Sequence, residues 1–468
     1  MHQTPIIYWL RRDLRLGDHP GLTAAAATGR PIIPVFIHDD LIEAQGAAPK
    51  WRLGLALEHF ATILEGIGSR LILRRGNALE VLRDLAAETG AKAVHWSRAY
   101  DPAAITRDTD VKAGLKMDGL EVESHKGHLL FEPWTVETKK GGFYKVFTPM
   151  WKAVRDVKLA QVLPSVCFLQ APDHWPVSDD IDTWNMGGAM QRGAAVVVKH
   201  VCVGEEAANK RLATFIKEKV ANYVKARDIP SVDGTSRLSE NLTYGEISPR
   251  SCWQAGWRAL HDGKAGAETF LKELVWREFA YHLAYHTPRI VSDNWNEGWD
   301  GFPWKGDGDH SLRWKQGRTG IHMVDAAMRE MYVTGTMHNR GRMIVASYLT
   351  KHMMTHWKVG RDWFEECLID WDPASNAMGW QWVAGSGPDA SPYFRVFNPD
   401  TQAEKFDKKG VYRTKYLAEL SSDQEPEAWD YFAAIPRRWN LSPRDGYPSP
   451  LVPLAVGRLR ALDAYKRS

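Results

Sequence analysis

The sequence predicts an α/β unit with a doubly wound parallel sheet, a long connector, and then a largely α-helical unit. Three observations carry this. Over residues 1–131 short apolar runs alternate with helical patterns; over 132–204 the periodicity fades among prolines; over 205–468 helical spacing returns with few strand signals. A chain of 468 residues exceeds one ordinary core, so several domains are the natural expectation.

In the first unit PIIYWL, PIIPVFIHD, RLILRR, AVHWSRA and LEVESH read as strands, and Trp51 to Ile67 and Ala78 to Thr89 show helical spacing. Strands alternating with helices imply a parallel sheet covered on both faces. The turn after the first strand reads RRDLRLGDHPG, without GxGxxG, so a dinucleotide cradle there has no support. The middle segment, punctuated by Pro133, Pro149, Pro164, Pro172 and Pro176, reads as a connector wrapping the surface, with GGFYKVFTPMWKAVRD the part most suited to order against a domain. Beyond Glu205 an apolar stripe runs through Ala208, Leu212, Phe215, Ile216, Val220 and Tyr223. Further helices are expected at Ala265 to Tyr285, Gly320 to Met331, Met337 to Trp357 and Asp362 to Ile369.

Composition excludes more than it proves. A net charge of +3 is too mild to indicate a nucleic-acid partner without a local patch. No apolar run is long enough to span a bilayer, and Arg11 and Arg12 interrupt anything resembling a signal peptide, so a cytoplasmic protein is expected. The four cysteines are scattered without a CxxC pair, which suggests neither disulfides nor a zinc ribbon. The histidine pairs HLAYH (His282, His286) and HMMTH (His352, His356) lack the glutamate of HExxH, so no metal is expected.

Chemistry concentrates late in the chain. In GTMHNRGRM, Asn339, Arg342 and Met343 are spaced i, i+3, i+4 and project from one helical face as an amide, a cation and a thioether, a mixture unsuited to plain core. In LKELVWREF, Glu273, Trp276 and Arg277 likewise share a face. Asp370, Asp372, Asn376, Trp380 and Trp382 follow in LIDWDPASNAMGWQW. So many aromatics beside polar groups suit the lining of a cavity. GTSRLS, Gly234 to Ser239, offers hydroxyls and backbone amides that can converge on a phosphate, although from the residues alone a plain turn or helix cap is the commoner meaning of such a stretch.

WLRRDLRL, GTSRLS, HNRGRM, DWDPASN, GWQW and PYFRVFNP, in this order along nearly the whole chain, resemble the photolyase/cryptochrome family, and most of all its bacterial class I cyclobutane pyrimidine dimer photolyases. The resemblance implies an N-terminal antenna domain at 1–131, a connector at 132–204 and a helical FAD-binding catalytic domain at 205–468. It implies that Tyr223, Thr235, Ser236, Arg237, Leu238, Ser239, Phe270, Arg277, Asn339, Arg342, Asp370, Asp372 and Asn376 surround FAD, with Asn376 toward the flavin N5 edge and Arg342 paired to Asp370. Glu273, Trp276, Asn339, Arg340, Met343 and Trp382 match positions lining the lesion pocket, where two indoles can sandwich a flipped-out dimer; such enzymes belong to the base flippers. Arg227, Arg340 and Arg395 are the cations expected on DNA phosphates. Trp380, Trp357 and Trp304 match an electron-transfer chain from flavin to surface.

The implied function is light-driven repair of UV-damaged DNA by a deoxyribodipyrimidine photo-lyase, acting as a cytoplasmic monomer that meets DNA at the nucleoid. Two rivals stand beside it. A cryptochrome photoreceptor is disfavoured by the short stretch after PYFRVFNP, by Asn376 and by the complete Trp276/Trp382 pair; a six-four photolyase is disfavoured because Asn339 and Met343 stand where those enzymes carry histidines. Thr336 and Phe270 depart from the tryptophans of close relatives. Ala103 and Ala104 stand where folate-binding members often have Asn-Glu, which leaves the antenna open between methenyltetrahydrofolate, a deazaflavin, another flavin and none.

Overall fold

The computed structural model describes residues 3–389, 394–420 and 425–467. Pro392 and Tyr393 of PYFRVFNP lie outside the described residues. Five strands, β1 (Ile6–Leu10), β2 (Ile32–His38), β3 (Ile72–Arg75), β4 (Ala93–Ser97) and β5 (Glu121–His125), form one parallel sheet in the order β3-β2-β1-β4-β5. Helices Pro20–Ala27, Ala47–Gly66, Ala78–Thr89 and Pro102–Met117 make the crossovers. Ile6, Tyr8 and Leu10 enter one apolar cluster and Ile7 and Trp9 the other, as the period-two alternation of a strand buried on both faces requires.

The turn after β1 docks the sheet onto the helical part instead of cradling a nucleotide. Buried Arg15 donates to the carbonyls of Gly245 (2.9 Å), Asp18 (3.1 Å) and Gly127 (3.1 Å). The Glu205 carboxylate accepts from the backbone N–H of Leu16 (2.7 Å) and Gly17 (2.9 Å). Arg52, 0% exposed, reaches across to Glu246 at 2.7 and 3.0 Å and to Glu240 at 3.3 Å.

The helical part follows the expected periodicity with informative exceptions. Ala267–His286 and His322–Thr334 form where expected. The single helix expected from Met337 to Trp357 is instead Asn339–Ser347, a wide π turn over Tyr348–His352, and a new helix, Trp357–Cys367. The break has a physical cause in the segment 302–305: Lys305 donates to the Met354 carbonyl (2.6 Å), His356 donates to the Lys305 carbonyl (2.9 Å), and the Trp304 indole takes the Thr350 carbonyl (3.0 Å). Met354, at φ 56°, turns the chain there, and the His356 ring then caps the new helix by accepting from Lys358 N–H. Pro249–His261 and Pro373–Ala384 are further helices, each opened by a capping side chain, Ser248 or Asp372, followed by proline at the first turn.

The connector is better ordered than a wrapping loop. Its helix Phe147–Val154 packs on Ala267–His286, and the Phe147 ring lies face to face with Trp276, centroids 3.7 Å apart and planes 3° from parallel.

Because Arg52 neutralises two buried carboxylates, Arg52→Met should cost about 3–5 kcal/mol of unfolding free energy by leaving Glu246 unpaired. Denaturant titration followed by tryptophan fluorescence reads this; an unchanged midpoint would show that the contact carries no stability.

Candidate functional site

Three stretches of helix and one loop converge on a cavity of about 710 Å³. Ala267–His286 supplies Phe270, Glu273, Trp276 and Arg277; Asn339–Ser347 supplies Asn339, Arg342 and Met343; Pro373–Ala384 and the residues before it supply Asp370, Asp372, Asn376, Trp380 and Trp382. The loop supplies Thr235, Ser236, Arg237, Leu238 and Ser239, and Tyr223 and Arg227 close that end. Both helical faces read from spacing, Glu273/Trp276/Arg277 and Asn339/Arg342/Met343, are thus aimed into one space.

Several of the polar side chains are held in place. Arg342 donates through Nη2 to both Asp370 oxygens (2.7 and 2.9 Å) and through Nε to the Met337 carbonyl (2.8 Å). Asp372 caps its helix by accepting from Ser375 N–H (2.7 Å) and takes the Tyr281 hydroxyl on its other oxygen. Asn376 donates to the Asp372 carbonyl (3.0 Å), which fixes its amide at the cavity wall. Arg277 donates to the carbonyl of His128 (2.9 Å) and lies beside that ring at 2.9 Å. Its neighbour Glu278, pushed up to about 7 by burial, accepts from Leu130 (2.7 Å) and Phe131 (3.2 Å). Glu273 stands at the mouth in an ion pair with Arg227, whose guanidinium lies 5.4 Å from the Tyr223 ring centre.

The loop has the shape of a cradle. A Cβ on Gly234 would fall 2.5 Å from that of Ala226, so glycine alone admits the close approach of the loop to its neighbour. Arg237 takes φ 52° and its carbonyl accepts from Arg211 (2.9 Å), and Thr235 and Ser236 line the cavity beside it.

Trp276 and Trp382 line the same cavity. Phe147 covers one face of Trp276, and the Trp382 indole is fixed by donation to the Asp389 carbonyl (2.9 Å). Trp380 also borders the cavity; its buried N–H has no partner among the described residues. Trp357 lies deeper, donating to Asn294 (2.8 Å), and the His356 ring stands between it (5.6 Å) and partly exposed Trp304 (4.9 Å). Two of the expected phosphate-binding cations sit elsewhere. Arg340 pairs with Asp228 (2.6 Å) and covers Phe406, outside the cavity lining. Arg395 lines a neighbouring cavity of about 380 Å³ that shares the Trp382 wall, and its carbonyl accepts from Lys351 (2.5 Å), an amine that burial pulls down to about 7.

Sequence reasoning missed His200 of the connector, Arg211 and Glu330, which also line the cavity, as does Lys415, whose charge-rich run in the sequence reads as a solvated loop. Their only sequence signal is polarity, since they come from four separate segments.

Two family models match the chain, "DNA photolyase" over residues 6–167 and "FAD binding domain of DNA photolyase" over 270–467. The chain belongs to the photolyase/cryptochrome family. A deoxyribodipyrimidine photo-lyase of Agrobacterium fabrum is 42% identical, the match covering 98% of this chain and 97% of that one. Cryptochrome-2 of Arabidopsis thaliana is 32% identical over 99% of this chain and 79% of its own length. The crystal structure of a bacterial class III photolyase from Agrobacterium tumefaciens superposes with a TM-score of 0.92 at 41% identity, covering 100% and 98% of the two chains.

FAD is the cofactor of this photolyase/cryptochrome member, and the cavity fits it. Its volume lies in the range of cofactor sites, a glycine-tightened loop with two hydroxyls closes one end, and the Arg342–Asp370 pair and the Asn376 amide stand along the wall.

Gly360 lets the Trp357–Cys367 helix lie against the Trp380 ring, since a Cβ there would fall 2.1 Å from the indole. Gly360→Ala should therefore displace Trp380 and cost about 1–3 kcal/mol through overpacking. The midpoint of thermal unfolding should fall; a midpoint equal to that of the parent would show that the two helices separate freely.

Proposed function

We propose that the chain is a light-driven carbon–carbon lyase that splits cyclobutane pyrimidine dimers in UV-damaged DNA, with the dimer swung out of the duplex into the cavity between Trp276 and Trp382. The observation that carries this reading is that the two indoles border the same cavity as the FAD-holding residues. The chemistry that reduced FAD supplies when bound is light-driven donation of an electron to the dimer, returned after the ring opens, so the reaction has no net redox change.

The residues divide the remaining work. Stacked on Phe147, Trp276 offers its other face to a base, and stacking of this kind contributes about 1–3 kcal/mol per base. Glu273, held by Arg227, presents carboxylate oxygens that accept from base N–H groups and stabilise the lesion in position. Asn339 and Met343 close the opposite wall, the amide 3.9 Å from the thioether sulfur. The low cost of unstacking a dimer, already poorly paired, favours its capture over intact bases. Arg227 grips phosphate at the mouth while sharing its guanidinium with Glu273, and Arg340 and Arg395, outside the cavity lining, take flanking phosphates, Arg340 sharing its guanidinium with Asp228.

Trp380, Trp357 and Trp304 serve as the path by which electrons from the surface restore reduced FAD. The burial of Trp357, its fixed indole N–H and the partial exposure of Trp304 support this order. Full-length likeness at 41% identity to a class III enzyme supports that subgroup in preference to the class I expected from the motifs. The domain limits at 131 and 204 and a monomeric, cytoplasmic enzyme complete the reading.

The deciding experiment is loss of cyclobutane dimers from UV-irradiated oligonucleotides under blue light, with reduced protein and a dark control. Light-driven flavin changes without dimer loss would favour the cryptochrome reading, which the likeness to Cryptochrome-2 keeps alive. Trp382→Ala should weaken binding of dimer-containing DNA about 5- to 150-fold with little change on undamaged DNA; equal losses on both would place Trp382 outside the lesion pocket. Trp357→Phe should leave repair by pre-reduced protein intact and slow flavin photoreduction, and equal photoreduction rates in variant and parent would remove Trp357 from the path.

A further inference from the structure

The edge of the parallel sheet carries a group of side chains that neither flavin nor DNA uses. In the β4–β5 register His95 stands opposite Glu123 and Ser97 opposite His125. Residues two apart on a strand point to one side, so the two histidines and the glutamate share a face. It is the face of Tyr8, whose hydroxyl lies 3.2 Å from the Ser97 hydroxyl, and the helix Pro20–Ala27 covers it, with Gly21 set against Tyr8 and the His125 ring. Both imidazoles are 9% exposed, and their facing nitrogens, Nδ1 of His95 and Nε2 of His125, are 3.3 Å apart. The Glu123 carboxylate, although more than half exposed, turns back to both rings, 3.7 Å from His125 Nδ1 and 3.9 Å from His95 Nε2. Among the described residues this is the group of three donors whose ligand atoms all lie within 4.8 Å of one another.

We propose that His95, His125 and Glu123 bind one divalent transition-metal ion of the Zn²⁺ class, which clips the edge strand β5 to β4. One nitrogen of each ring and one Glu123 oxygen lie within 4.8 Å of one another, and the carboxylate faces His125 Nδ1 and His95 Nε2; donors at about 2.0–2.1 Å from a tetrahedral centre are about 3.3 Å apart, so small side-chain rotations bring the three onto one ion. Two imidazoles and a carboxylate form a donor set for zinc and its borderline neighbours, and leave a fourth position for water. A strand at the edge of a sheet is held by one neighbour only, so a cross-strand ligand set adds a restraint that its hydrogen bonds do not. The chain leaves His125 directly for His128, Leu130 and Phe131, which hold Arg277 of the cavity wall and its neighbour Glu278. The clip therefore fixes the base of the segment on which that helix rests. The expectation of no metal rested on the i, i+4 histidine pairs and did not reach a pair assembled from two strands.

The test uses the full-length, FAD-loaded protein, freed of any affinity tag and stripped with a chelator. Calorimetric titration with Zn²⁺ should show one equivalent bound, and Co²⁺ should give the intense visible bands of a four-coordinate ion. Glu123→Gln, at an exposed position where folding is not at risk, and His125→Ala should each weaken Zn²⁺ binding at least about tenfold while flavin content stays at the parent level. Saturating Zn²⁺ should raise the thermal midpoint of the parent and not that of His125→Ala. No stoichiometric uptake by the parent, or equal affinity in parent and Glu123→Gln, overturns the proposal and leaves the two rings as a hydrogen-bonded pair.

Discussion

The cavity exists because two helices cannot move apart at one buried point. Asp372 opens Pro373–Ala384 as its cap and, on its other oxygen, takes the hydroxyl of Tyr281 from Ala267–His286. Both residues are almost wholly buried, and a carboxylate stripped of its donors there would cost several kcal/mol. Everything carried by the two helices is registered by that contact: Glu273, Trp276 and Arg277 lie nearer the start of one, and Asn376, Trp380 and Trp382 lie along the other. That the two indoles line one cavity thus depends on one capping residue having a second partner.

The first part of the chain supports this arrangement instead of standing apart. Arg15, Arg52 and Glu205 place charges where only the other part of the molecule can satisfy them, so each unit completes the polar accounting of its neighbour. The segment after β5 brings His128 against Arg277, and the connector brings Phe147 against Trp276. A wall of the site is therefore built from residues far upstream, and the rigidity of Trp276 is owed to a ring outside the helix that carries it.

Much of this was legible in the residues. The five strands follow from apolar runs between turns, and the two helical faces of the cavity follow from spacing alone, because a helix places i, i+3 and i+4 together wherever it packs. The helix Pro373–Ala384 was not among those expected, although Asp372-Pro373, a cap followed by proline, stands at its start. The failures share one origin. Nothing local in Met337 to Trp357 announces the break at Tyr348–His352, because the freed carbonyls find donors on the distant segment 302–305. Arg340, expected among the lesion-pocket residues, stands outside the cavity lining and pairs with Asp228.

By itself the sequence determined the type of most elements, the chemistry presented on the two helical faces of the cavity and, through its motifs, the family, since all of these depend on neighbours within a few positions. Which faces meet, which charges are already spoken for, and which histidines stand side by side on separate strands were decided by tertiary structure. Contacts such as Arg15 with Gly245, 230 residues apart, are selected by the burial and hydrogen-bond satisfaction of the whole molecule, and no periodicity within a segment encodes them.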